Sequence, residues 1–300
     1  MSYITVQDKQ IYYEEYGAKD LPTLVYMHGG PGESCLTYTY QAKKLGESFH
    51  VISFDQYGVF RSDAISDTQR AGVKYHVELI EQMRKALEIN SWIPVGHSFG
   101  GMLACIYAYM YPDSTNAVIY DCRMWSALHT ARAIAEATLP CFEQNEITEQ
   151  IILCKSIFEE DISPKDAFDK ALNIDMNDAV RHYCHVIEKN RYDEYINEHI
   201  PEPEVSEDCW SRFISFTQKL RDEDDFYENY LFCIEEIDKP QLLIVGEYDM
   251  TCGKYEQDFF RRHAQNGNIN ILKNSAHLSW FEQPERYSEL ITDFISQIKP

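Results

Sequence analysis

An apolar run, Trp92-Ile93-Pro94-Val95, passes straight into Gly96-His97-Ser98-Phe99-Gly100-Gly101 and then into the apolar stretch Met102 to Tyr111. A strand that turns directly into a helix leaves almost no room for side chains at the bend, so a G-x-S-x-G pattern needs glycines around a serine whose hydroxyl is exposed at the crest. No other feature constrains the fold as much. It demands a strand inside a sheet, a helix folded back on that sheet, and a cleft at the strand's C-terminal end. Ser98 is the candidate nucleophile.

The surrounding sequence repeats the same alternation. Ile4–Val6 and Gln10–Tyr16 flank Gln7-Asp8-Lys9 as a short antiparallel hairpin. Leu24–Met27 and Phe49–Phe54 read as strands covered on both faces. Helical spacing marks Thr37–Leu45, Tyr75–Leu87 and Met102–Tyr111, and Ala117–Tyr120 is a further strand. After Pro240 come strand Gln241–Val245, helix Lys254–His263, strand Ile269–Leu272 and a closing helix, Glu285–Ile298. Strands alternating with helices imply an α/β fold with a mostly parallel sheet flanked by helices.

One segment breaks the alternation. From Cys122 to Asp238 the periodicity is helical, as in Ala131–Ala137 and Ala179–Glu188, and is broken at Pro140, Pro164, Pro201 and Pro203. This segment holds 27 acidic and 11 basic residues, a net charge of −16 out of −22 for the 300-residue chain. The expected organisation is a discontinuous core, 1–121 with 239–300, and an acidic helical cap, 122–238, inserted over the sheet edge where ligands bind in open α/β sheets. So acidic a chain lacks the clustered Lys and Arg that nucleic acid requires. No run approaches the roughly 18 apolar residues of a membrane span, and no secretory leader is visible, so the expectation is a soluble, cytoplasmic protein without a nucleic-acid or membrane partner. Nine scattered cysteines without a C-x-x-C pair predict free thiols and no zinc site.

A serine needs a base, and the base needs a group that holds its tautomer. Asp249 follows the strand at 241–245 and His277 follows that at 269–272, so both should emerge on the edge that carries Ser98. The order Ser, Asp, His is the one this architecture uses. Asp121, at another strand end, is the alternative acid. The oxyanion of an acyl-transfer intermediate would take the amides of Phe99 and of Gly30, which lies in the glycine-rich loop His28–Gly32. The set is complete without metal or organic cofactor.

Four motifs carry a family resemblance: His28-Gly-Gly-Pro-Gly32, Asp55-Gln-Tyr-Gly-Val-Phe-Arg-Ser62, Gly96–Gly101, and Gly246-Glu-Tyr-Asp249 with Ser275-Ala-His-Leu278. On these the chain resembles the α/β-hydrolase fold serine hydrolases of the proline iminopeptidase family. The resemblance implies a Ser98–His277–Asp249 triad and a substrate that is a small molecule or short peptide. It covers both sheet portions and fades across the cap. Two positions depart from the family pattern: Met250 stands where an acid that holds the substrate's amine can follow the catalytic aspartate, and Tyr57 and Phe60 replace an arginine and a glycine. Esterase or lactonase action, or ligand binding without catalysis, are the alternatives.

Several residues read two ways. Glu223, Asp225 and Glu228 belong to a solvated helix end or loop, or one of them faces the cleft and receives a cation. Trp280, three residues beyond His277, is a core side chain or a substrate wall. His97 is expected to be a packed histidine pointing away from the cleft, and His28 to brace its loop.

Overall fold

The computed structural model describes residues 2–66, 69–175, 186–199 and 207–298. Its strands are β1 Ser2–Val6, β2 Lys9–Tyr16, β3 Thr23–Met27, β4 His50–Phe54, β5 Ile93–His97, β6 Val118–Asp121, β7 Gln241–Gly246 and β8 Gly267–Leu272. They form one sheet in the order β1-β2-β4-β3-β5-β6-β7-β8. β2 pairs antiparallel with both β1 and β4, and every other pairing is parallel. The unbroken apolar runs are buried end to end because both faces are covered. Alternate residues divide between two cores: Val25, Met27, Leu243 and Val245 face one, while Leu24, Tyr26, Leu242 and Ile244 face the other.

The helices that supply these two cores come from widely separated parts of the chain. α2 (Val73–Ala86) and α3 (Phe99–Met110) pack on the first face. α1 (Thr39–Leu45) and the closing helix Pro284–Ser296 pack on the second. Between β6 and β7 lie α4 (Ala127–Gln144), α5 (Thr148–Ser156), α6 (Pro164–Leu172), α7 (Lys189–His199), α8 (Glu207–Arg221) and α9 (Leu231–Glu236). After β7 follow α10 (Lys254–His263), α11 (Ser279–Glu282) and α12, the closing helix. The expected helical pattern at Ala179–Glu188 and the breaks at Pro201 and Pro203 fall largely or wholly outside the described residues.

Pro164 opens α6 as a first-turn proline, but Pro140 does not break its segment; it lies inside α4. A proline in a helix interior costs about 3 kcal/mol. Here Pro140 and Glu136, whose carbonyl loses its amide partner, are both exposed, so water can replace the lost bond. The opposite face of α4 buries Ala131, Ala135 and Phe142 in a cluster shared with α5 and α6, and a buried Phe alone contributes about 1.5–3 kcal/mol.

The inserted helices are not an independent body. α4 to α6 enclose their own apolar cluster, yet Phe216 and Leu220 of α8, Phe226 and α9 join the main core. The Trp125 carbonyl accepts from Tyr230 N at 3.0 Å, and Ser126 bridges Asn229, which clamps the two ends of the insertion together. α7 and α8 lie on the loops that follow β3 and β4. Tyr195 donates to the Thr37 carbonyl at 2.8 Å, Thr217 to the Pro31 carbonyl at 3.0 Å, and Arg212 to the Phe60 carbonyl at 2.8 Å.

Candidate active site

Six parallel strands, β3 to β8, end on one edge of the sheet, and each is followed by a residue of interest. β5 is followed directly by Ser98, which adopts φ 51°, ψ −119° ahead of α3. A side chain in this region is strained by about 1–3 kcal/mol, and bonds on both sides hold it there. Ser98 N donates to the Asp121 carbonyl at 3.0 Å, and the Ser98 carbonyl accepts from Gly101 N at 2.9 Å and Met124 N at 3.0 Å. The flanking glycines are required by crowding. A Cβ on Gly96 would lie 2.2 Å from the Gly100 carbonyl oxygen, and one on Gly100 would lie 2.0 Å from that of Met27.

The loop after β3 is braced by the Asp55-Gln56 segment. Gln56 N donates to His28 Nε2 at 3.0 Å, so that nitrogen is unprotonated and Nδ1 carries the proton it gives to the Gly29 carbonyl, also at 3.0 Å. Burial lowers the His28 pKa, in keeping with this neutral tautomer. Asp55 accepts from Ser34 Oγ at 2.7 Å, Cys35 N at 2.9 Å and Arg61 Nε at 2.7 Å. Phe60, one of the departures from the pattern the sequence resembles, adopts φ 42°, a conformation that glycine takes without strain. Gly30 has φ 111° and is exposed. Among the described residues, neither Gly30 N–H nor Phe99 N–H, at the first position of α3, meets a protein acceptor.

Beyond β7 and β8, Asp249 and His277 are joined by a hydrogen bond of 2.9 Å between Nδ1 and Oδ1. Thr251, which the sequence reading passed over, donates to Asp249 Oδ1 at 2.9 Å, and its hydroxyl lies 3.1 Å from His277 Nδ1. Cys252 N donates to Asp249 Oδ2 at 3.1 Å. Burial pushes the Asp249 carboxyl up, but the His277 charge and these bonds outweigh it and hold the pKa at about 2. Cys122 Sγ lies within 4.8 Å of the Asp249 and His277 donor atoms, an N/O/S grouping that could in principle hold a metal ion. Burial raises the Cys122 thiol pKa well above its ordinary value, and Asp249 and His277 are bonded to each other.

His97 does not point away from this site. Its ring lies 4.9 Å from the His277 ring, centroid to centroid, so His277 stands beside the elbow that holds Ser98. Asp121 is bonded to His97 rather than to His277: Oδ2 lies 2.9 Å from Nδ1, and Ser279 donates to Oδ1.

The residues expected at a substrate wall are engaged elsewhere. Asp225 accepts from Val73 N and Lys74 N at 3.0 Å each, capping α2 from outside because Gly72 has no side chain to do so. Glu223 accepts from Ala71 N at 3.3 Å, and Glu228 pairs with Lys74 at 2.8 Å. All three fasten the insertion to α2. Trp280 is 2% exposed, edge-on to Tyr38 and His97, and its carbonyl accepts from Gln41. It contributes to a hollow of about 300 Å³ with Tyr40, Arg191, Tyr195 and Phe281, whose lining includes none of Ser98, Asp249 and His277. Glu33, also passed over in the sequence, stands beside Gly29 at the elbow.

Comparison with known proteins agrees with this fold. Residues 22–147 match a family described as alpha/beta hydrolase fold. The proline iminopeptidase of Saccharolobus solfataricus is 26% identical over 96% of this chain and 89% of its own, and that of Heyndrickxia coagulans 25% over 92% and 91%. The solved structure of a proline iminopeptidase-related protein from Thermus thermophilus superimposes with a TM-score of 0.73 at 19% identity, covering 99% of this chain and 97% of that one. Among the described residues no helix is long and apolar enough to cross a membrane.

Proposed function

We propose that this chain, which has the alpha/beta hydrolase fold, is a serine hydrolase that releases N-terminal residues, proline foremost, from short peptides through a covalent Ser98 intermediate. Ser98 Oγ attacks the scissile carbonyl carbon while His277 Nε2 takes its proton. Asp249 holds the Nδ1–H tautomer and stabilises the imidazolium that forms. The amides of Phe99 and Gly30 receive the oxyanion, each such donor being worth about 10²–10³ in rate. The intermediate collapses as His277 returns the proton to the leaving amine. Water, deprotonated by the same imidazole, then frees the acyl enzyme.

The observation that carries this reading is the 2.9 Å His277–Asp249 bond on the sheet edge that also holds the strained Ser98. The inserted segment, 122–238, would act as a cap over a core formed by 1–121 and 239–300. Its net charge of −16 favours neutral or cationic substrates, since a charged cleft mouth concentrates counter-ions. Fold alone does not choose between an amide, an ester and a lactone. A panel of aminoacyl-naphthylamides beside p-nitrophenyl esters and lactones makes that choice: prolyl-naphthylamide should be the best amide, and esters or lactones faster than every amide by orders of magnitude would replace the peptidase reading with an esterase one. Dialysis against EDTA should leave the rate unchanged.

A further inference from the structure

The carboxylate of Glu33 borders the nucleophile. The point a Cβ on Gly29 would occupy lies 3.0 Å from Ser98 Cβ, 2.9 Å from His97 Cδ2 and 3.2 Å from Glu33 Oε2, so Glu33 and Ser98 face the same small space. Other carboxylates near this edge are tied: Asp55 to Arg61, Glu256 to Arg123, and Asp225 to two amides of α2. Among the described residues Glu33 makes no side-chain hydrogen bond and no ion pair, although it is half-buried. It also lies close enough to α7 that, after burial, its charge is the next largest influence raising the Tyr192 phenol.

Its position has a chemical consequence. Glu33 lies three residues from Gly30, whose amide is the second candidate donor to the oxyanion. A bare carboxylate there opposes the negative charge that develops on the acyl oxygen, and in a low-dielectric cleft that opposition is strong. A cation between them reverses the effect. In an α-aminoacyl group the ammonium is one carbon from the carbonyl, so a carbonyl seated over Ser98 brings its α-ammonium into the space bordered by Glu33.

We infer that Glu33 receives the cationic α-amino group of the acyl residue and so makes this an α-aminoacyl site, an inference that rests on Ser98 being the nucleophile. This residue takes the recognition role that Glu223, Asp225 and Glu228, bonded to the start of α2, do not fill.

The test compares two covalent probes, the diphenyl α-aminophosphonate analogue of proline and its N-acetyl derivative. Each forms an Oγ–P bond to the nucleophile and expels phenol, which takes the proton. The wild type should react faster with the free amine by about 10- to 100-fold, the worth of one charge-assisted hydrogen bond. In Glu33→Gln that ratio should fall towards 1 through loss on the free amine, and Glu33→Asp should lie between. An unchanged ratio in Glu33→Gln, or a parallel loss on both probes, overturns the inference. A neutral fluorophosphonate separates the two levels: labelled Ser98 with an unchanged ratio sinks Glu33 alone, whereas a wild type that is not labelled at Ser98 sinks the nucleophile and the inference with it.

Discussion

Two imidazole–carboxylate pairs stand side by side at the sheet edge, His277 with Asp249 and His97 with Asp121. Each is joined by a 2.9 Å bond through Nδ1, and the two rings are 4.9 Å apart. Their surroundings differ. His97 is the last residue of β5, 1% exposed, and its aspartate is 0% exposed, with Ser279 on its other oxygen and the Ser98 amide on its backbone. His277 belongs to a loop beyond β8, next to Thr251, and its ring lies tilted by 47° against that of His97. Burial lowers the His97 pKa, but Asp121, with smaller effects from Glu33 and Asp249, raises it overall. A hydrogen bond to a carboxylate therefore does not make a histidine a base. In the proposed mechanism the pair in the strand fixes the elbow, and the pair in the loops exchanges a proton with the substrate.

Substitutions distinguish the two pairs. Ser98→Ala should lower kcat by about 10⁶ with the fold intact, because it removes the one group that both pairs flank. Asp249→Asn should cost about 10⁴ in kcat by favouring the wrong tautomer of His277. Asp121→Asn should instead act mainly on stability, lowering Tm while kcat falls by about tenfold or less. Were Asp121→Asn the more damaging to turnover, the roles of the two pairs would be exchanged.

A smaller effect separates the pairs by pH. A histidine whose pKa is raised on folding contributes stability that is full below its unfolded pKa, about 6.5, and is lost as pH rises through the folded value. The Tm difference between wild type and His97→Asn should therefore be larger at pH 5.5 than at pH 9. Asp249 has the opposite sign. Its pKa falls to about 2, so its contribution is present above about 3.9 and is lost as pH falls through 2. The smallest change expected is Thr251→Val, which leaves the His277–Asp249 bond and removes one donor to the carboxylate; kcat should fall by about fivefold or less, the worth of one neutral hydrogen bond.

Much of this was legible in the sequence because it follows from local chemistry. The strands were visible as apolar runs, and the elbow glycines are needed for backbone clearance of about 2 Å, which their spacing announces. The positions of Asp249 and His277 follow from strand ends on a parallel sheet. What stayed hidden depends on contacts between distant segments. Asp225 caps a helix that begins 152 residues earlier, and nothing in Asp222-Glu-Asp-Asp225 reveals that partner. Pro140 stays helical because of a cluster built by α5 and α6. His97 turns to His277 rather than away, since Asp121 and Gly29 fix its ring. Glu33 gave no sign because its significance lies in what does not pair with it.

In the proposed mechanism the strained serine beside the His277–Asp249 pair is the nucleophile. Peptide mapping by mass spectrometry after treatment with a neutral fluorophosphonate tests it most directly. A single adduct should form on Ser98 in step with loss of hydrolytic activity, be absent in Ser98→Ala and form much more slowly in His277→Ala. Full inactivation with the adduct on another residue, or labelling that proceeds at the same rate in His277→Ala, would contradict it.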